Sequence, residues 1–195
     1  FNSHTILKEM SSKEPVILVG PVWHRYVLGK RLRLASSDYW LELAEKGKDR
    51  FGDRFADVKA NTNDPDKLGV GLSSEWRPEP LRIDFIKKDT SDRPSVKLLE
   101  VDGFDRAMSR PLIDFAIDNR MLLLGKAAKE IQGSFEPKRN PGKTMNSLFL
   151  HGPTFSSFEL IHREASMDWF LDGFEIYESL LLPKLLEKYQ SLTAE

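Results

Sequence analysis

The chain contains no cysteine, which excludes disulfides and thiolate metal sites and fits a reducing compartment. No apolar run approaches the length of a membrane span, and no charged-then-apolar leader precedes a cleavage-like site, so no membrane partner is expected. An excess of charge of one sign is missing too: 29 Lys and Arg face 30 Asp and Glu, for a formal net charge of −1. That balance gives no global bias toward nucleic acid, and local patches must carry any such case. Repeats and low-complexity tracts are also absent. What is present is 195 residues with 40% hydrophobic content, enough to bury one sizeable core, so a single domain over 1–195 is the expectation. Because the sequence opens on Phe1 and its first residues read as a continuing helix, a domain excised from a larger protein is expected, with the parent's other domains as partners. The expected setting is intracellular, in cytoplasm or nucleus.

The most informative stretch is Leu81 to Asp102, LRIDFIKKDTSDRPSVKLLEVD. Leu81, Ile83 and Phe85 alternate with Arg82 and Asp84, and Glu100 and Asp102 fall two apart, so period-2 geometry puts the last two on one face of a strand. The polar KKDTSDRP between them favours a turn. A β-hairpin is therefore expected, and a register bringing Asp84 opposite Glu100 would converge two or three carboxylates. Bare anions at that spacing repel, and a cation resolves the repulsion.

Around this hairpin, 1–10 reads as a short helix and Val16 to Val19 as a buried strand. The following segment holds Arg25, Lys30, Arg31 and Arg33 with Trp23 and Tyr26 interleaved, a pattern suited to phosphates and stacked bases but equally to a solvated basic face. Ser36 to Phe51 reads as a helix with Tyr39, Trp40, Leu43 and Ala44 as its apolar stripe and Glu42 at the margin. Phe55 to Lys59 reads as a strand and Asn61 to Gly71 as a loop. Downstream, Pro111 marks a helix start, and 112–131 is a long apolar helix. Gly133 to Lys143 reads as a mobile connection whose Lys138 and Arg139 offer a second phosphate contact. Met145 to His151 and Phe155 to Ile161 read as strands, and 167–190 as an amphipathic helical segment divided by Pro183.

This order of elements describes an α/β (α+β) fold, and the pairing of Ile83-Asp84-Phe85 with Leu99-Glu100-Val101-Asp102 resembles the PD-(D/E)xK nuclease superfamily over roughly 37–161. The resemblance implies a restriction-endonuclease-like mixed sheet flanked by helices, with the segment at 167–190 as a C-terminal addition. It also implies a divalent-metal-dependent endonuclease acting on DNA or RNA. Asp84, Glu100 and Asp102 would hold Mg²⁺ or Mn²⁺, and Glu42 would match an acid contributed from the first helix. The family has Lys two positions after the Glu, where this chain has Asp102, so Asp102 becomes a further ligand or marks a lost activity. Lys126 or Lys129 on the long helix would then replace the Lys. His24 corresponds to an upstream His ligand of some viral relatives. Two other classes stay open: a non-catalytic protein-interaction domain on a degenerate nuclease fold, and an ATP-grasp-like fragment, since a Glu followed two later by Asn in those ligases resembles Glu100 and Asp102.

Overall fold

The computed structural model divides the chain into two compact units, Phe1–Ser37 and Asp38–Glu195. It describes residues 39–55, 59–60, 67–71, 80–87, 93–101, 105–140, 145–155 and 160–194, all in the second unit. The strand expected at Val16 to Val19, the basic residues Arg25, Lys30, Arg31 and Arg33, His24 and Asp102 lie outside the described residues.

The second unit is α+β. Helix α1 (39–51) buries Tyr39, Trp40, Leu43 and Phe51 on one stripe. A 3₁₀ turn, Gly52–Phe55, then folds Phe55 back onto that helix, with Gly52 supplying the positive φ of 60° that the reversal needs. Six strands follow the order β1-β2-β3-β4-β6-β5, where β1 is Lys59–Ala60, β2 Lys67–Gly71, β3 Leu81–Lys87, β4 Pro94–Glu100, β5 Ser134–Lys138 and β6 Ser147–His151. Every recorded pairing is antiparallel, rather than the mixture of directions expected. Helix α2 (Arg106–Glu130) crosses between β4 and β5, and the chain ends in α3 (Leu160–Ile176), a π turn (Tyr177–Leu181) and α4 (Leu182–Thr193).

Period-2 geometry divides the sheet cleanly. Leu81, Ile83, Phe85, Val96, Leu98, Leu148 and Leu150 share one face and are essentially fully buried with residues of α1, α2 and α3. Phe85 meets Phe170 of α3 edge-on, with ring centroids 5.5 Å apart, and Phe55 meets Phe174 at 5.1 Å. The opposite face carries Arg82, Asp84, Ser95, Lys97, Phe149, His151, Glu136 and Lys138.

Several local expectations change. The α2 helix begins earlier than its proline suggests: Asp105 caps it, its carboxylate accepting from Ala107 N at 2.9 Å, and Pro111 sits inside. The segment at 134–138 is a strand, not a mobile connection. Pro137 is tolerated there because β5 is the sheet edge, where a missing N–H costs no ladder bond. Lys67–Gly71 is also a strand where a loop was expected. The second strand expected near 155–161 is instead coil at Phe155 and the start of α3 from Leu160. Pro183 does divide the terminal helix. Its missing N–H and its ring's conflict with the preceding turn are accommodated by the π turn, in which Leu182 N donates to Tyr177 O five residues back.

Two tyrosines bind this core together. Tyr39 Oη lies 2.7 Å from Ser166 Oγ, and Tyr177 donates to Leu148 O at 3.3 Å. Burial raises both phenols well above their ordinary range. The folded state therefore holds protons that the unfolded chain releases from about pH 10, so stability is intact below that pH and falls above it. The expected loss is about 1.4 kcal/mol per pH unit for each buried tyrosine. Urea midpoints from pH 9 upward should fall steeply in the wild type and markedly less in the Tyr39→Phe/Tyr177→Phe variant.

Candidate functional site: the polar face of the sheet

The hairpin forms, but its register separates the two carboxylates expected to meet. Asp84 stands opposite Lys97 and Glu100 opposite Leu81, so the acids are three rungs apart and point to opposite faces. The spacing was ambiguous because a shift of one residue exchanges the faces of a strand. Among the described residues, no group of three or more His, Asp or Glu side chains is placed to hold a metal ion. As placed, Asp84 and Glu100 do not fit one ion.

Glu100 belongs to a buried polar knot instead. Its side chain is 3% exposed; Oε1 accepts from Arg110 Nε at 2.9 Å and Ser109 Oγ at 3.4 Å, while Oε2 accepts from Asn146 N at 2.7 Å. Asn146 extends the knot, donating to Asp114 at 2.8 Å and accepting from Asn140 N at 2.9 Å. The arrangement ties the end of β4 to the first turns of α2 and the approach to β6. A buried carboxylate with this many donors is satisfied as it stands.

The remaining expected site residues are dispersed. Glu42 accepts from Arg163 Nη2 at 2.9 Å and Nε at 3.1 Å, tying α1 to α3. Lys126 is exposed on α2, sixteen residues beyond the Arg110 that holds Glu100 and hence about 24 Å along the helix. Arg139 pairs with Asp114 and Asp118. Lys138 does reach the face that carries Asp84, and so does Lys97.

That second face holds what the sequence reading missed. Phe149 and His151 lie two apart on β6, their rings stacked with centroids 5.4 Å apart and planes 14° from parallel. Lys138 Nζ sits 4.6 Å from the Phe149 ring centroid and Lys97 Nζ 5.2 Å from it, each in cation–π range. Arg93 is held beside them, its Nε donating to Gly152 O at 2.9 Å and Nη2 to Ser134 Oγ at 3.1 Å. Beside them lies a cavity of about 300 Å³ lined by Ile86, Arg93, Ser95, Glu136, Lys138, Phe149 and His151. Among the described residues of this face, four cations (Arg82, Arg93, Lys97, Lys138) stand against two carboxylates (Asp84, Glu136). Asp84 pairs with Arg82 at 3.1 Å, and the hydrogen bond from His151 holds the Glu136 carboxyl below its ordinary range.

Comparison with protein-family models, curated proteins and solved structures returns no match for this chain. Function is therefore read from the site. The signal for it was local: Phe149 and His151 alternate with Leu148 and Leu150, and Glu136 and Lys138 with Phe135 and Pro137, so two amphipathic strands present aromatic and charged groups outward. Among the described residues, no helix is long and apolar enough to cross a membrane.

Proposed function

We propose that this domain binds single-stranded nucleic acid, DNA or RNA, on the polar face of its sheet, along the partly exposed strands β5 and β6. The observation that carries the reading is the Phe149–His151 stack flanked by the ammonium groups of Lys97 and Lys138. Unpaired bases stack on aromatic rings displayed by a sheet, while nearby cations take the phosphates. The setting this implies is intracellular. Loss of one stacking ring is expected to cost about 1–3 kcal/mol, or roughly 5- to 150-fold in affinity. Fluorescence anisotropy of a labelled oligonucleotide with wild type and Phe149→Ala tests this, and equal affinities would contradict it.

A second reading keeps hydrolysis. Asp84 lies directly across the hairpin from Lys97, which brings an acid and a lysine together on the face proposed for nucleic acid. In that reading Asp84 would exchange its pairing with Arg82 for a place as one oxygen ligand of Mg²⁺ or Mn²⁺, and Lys97 would offset phosphate charge, taking the place of the lysine missing at position 102. Glu100 has no part in it. Mn²⁺-dependent cleavage that disappears in Asp84→Asn would support this reading; binding without cleavage in Mn²⁺ would leave a non-catalytic binding module.

A further inference from the structure

The same cavity contains an arrangement that nucleic-acid binding does not require. Ser95 Oγ lies 2.7 Å from His151 Nδ1, and His151 Nε2 lies 2.8 Å from Glu136 Oε2. The three residues come from the adjacent strands β4, β6 and β5, with Ser95 directly opposite His151 and Glu136 one diagonal away. We propose that Ser95, His151 and Glu136 form a metal-independent nucleophilic site that hydrolyses small carboxylic esters carrying a negative charge.

The hydrogen-bond donors fix the tautomer. Glu136 is held ionised, its carboxyl lowered first by the hydrogen bond from His151, so it only accepts. The proton of the neutral imidazole therefore sits on Nε2, and the Nδ1 lone pair faces the serine hydroxyl. General-base activation of a hydroxyl requires this: a base within hydrogen-bond reach, oriented by a third group. Stacking on Phe149 at 5.4 Å holds the ring plane. Ser95 is only 7% exposed, yet it lines the cavity of about 300 Å³, so access runs through that cavity.

The chemistry balances without a further reactant. Ser95 Oγ attacks the acyl carbon while its proton passes to Nδ1, and the imidazolium is stabilised by Glu136. The carbon–oxygen bond to the leaving alcohol breaks, and that alcohol takes the proton from Nδ1. Water then gives a proton to Nδ1 as its oxygen attacks the acyl-serine, and Ser95 departs with the proton, releasing the acid. Lys138 Nζ pairs with Glu136 Oε1 at 3.3 Å, so the positive charge that selects an anionic substrate comes from Arg93, which lines the same cavity and whose own hydrogen bonds go to the neutral Gly152 O and Ser134 Oγ.

The test uses the full chain in EDTA with no nucleic acid present, so its outcome is independent of the binding reading. A biotinylated fluorophosphonate is added, the adduct is mapped by mass spectrometry, and release of 4-nitrophenol is followed from 4-nitrophenyl hemisuccinate and from 4-nitrophenyl acetate. The expected result is an adduct on Ser95, no adduct in Ser95→Ala, and labelling slowed about a hundredfold in the exposed Glu136→Gln variant. Hydrolysis of the anionic ester should exceed that of the neutral one by about tenfold or more. Folded wild type that stays unlabelled, or labels equally in Ser95→Ala, overturns the nucleophile; labelling unaffected by Glu136→Gln overturns the relay; and equal ester rates overturn the anionic substrate class.

Discussion

Arg110→Ala is expected to destabilise the domain by about 3 kcal/mol or more, because it leaves the Glu100 carboxylate buried without the cation that faces it. For a chain of this size that is a fall in melting temperature of roughly 10 °C. The effect is large because Glu100 is nearly sealed from water, whereas exposed pairs such as Lys184–Glu187 are worth a fraction of this. Ser109 and Asn146 N keep two of its hydrogen bonds, so the penalty comes from the missing positive charge more than from unfilled lone pairs. A double-mutant cycle with Glu100→Gln separates the two effects. The double variant should be less destabilised than the sum of the single variants, since the amide introduced by Glu100→Gln carries no charge that needs Arg110. Urea denaturation reads all four proteins, and a loss below about 1 kcal/mol for Arg110→Ala would show that the knot does not hold β4 against α2.

The second large effect concerns the polar face of the sheet. Reversing two charges in Lys97→Glu/Lys138→Glu turns four cations against two carboxylates into two against four among the described residues. Oligonucleotide affinity near 0.1 M salt should fall by about a hundredfold or more. The slope of log K against log salt should become shallower by about 1.4, the equivalent of two phosphate contacts on a single strand. Loss of affinity with an unchanged slope would mean that the lysines act through packing on Phe149 rather than through phosphates. Because both ammonium groups lie over that ring, Lys97→Met/Lys138→Met is the informative control: it keeps apolar contact, loses charge and should show most of the slope change.

Much of the architecture could be read from the sequence because hydrophobic period tracks burial. The stripe Tyr39, Trp40 and Leu43, the alternation Leu81, Ile83 and Phe85, and Leu112, Ile113, Ala116, Ile117, Leu124 and Ala128 of the long helix all lie in the core, whereas Leu122 of the same apolar run is exposed. The terminal helices and their division at Pro183 followed from the same logic. What failed was long-range or edge-dependent. The register of β3 on β4 decides which acids share a face, and a spacing of sixteen residues is compatible with more than one register. Strand β5 escaped notice because its proline and charges resemble a loop, and only its place at the sheet edge explains them. The Ser95–His151–Glu136 alignment joins three strands whose pairing no local pattern encodes.

Photo-crosslinking tests the central claim, that the polar face of the sheet is the functional one, most directly. A 4-thiouridine-bearing oligonucleotide is bound to the full chain, irradiated and digested, and the attached peptides are identified by mass spectrometry. The expected adducts fall on the β6 and β5 peptides that contain Phe149, His151 and Lys138. Specific adducts confined to the α2 surface or the Glu100 knot, with none on β5 or β6, would contradict the account and return the search for function to the other side of the sheet.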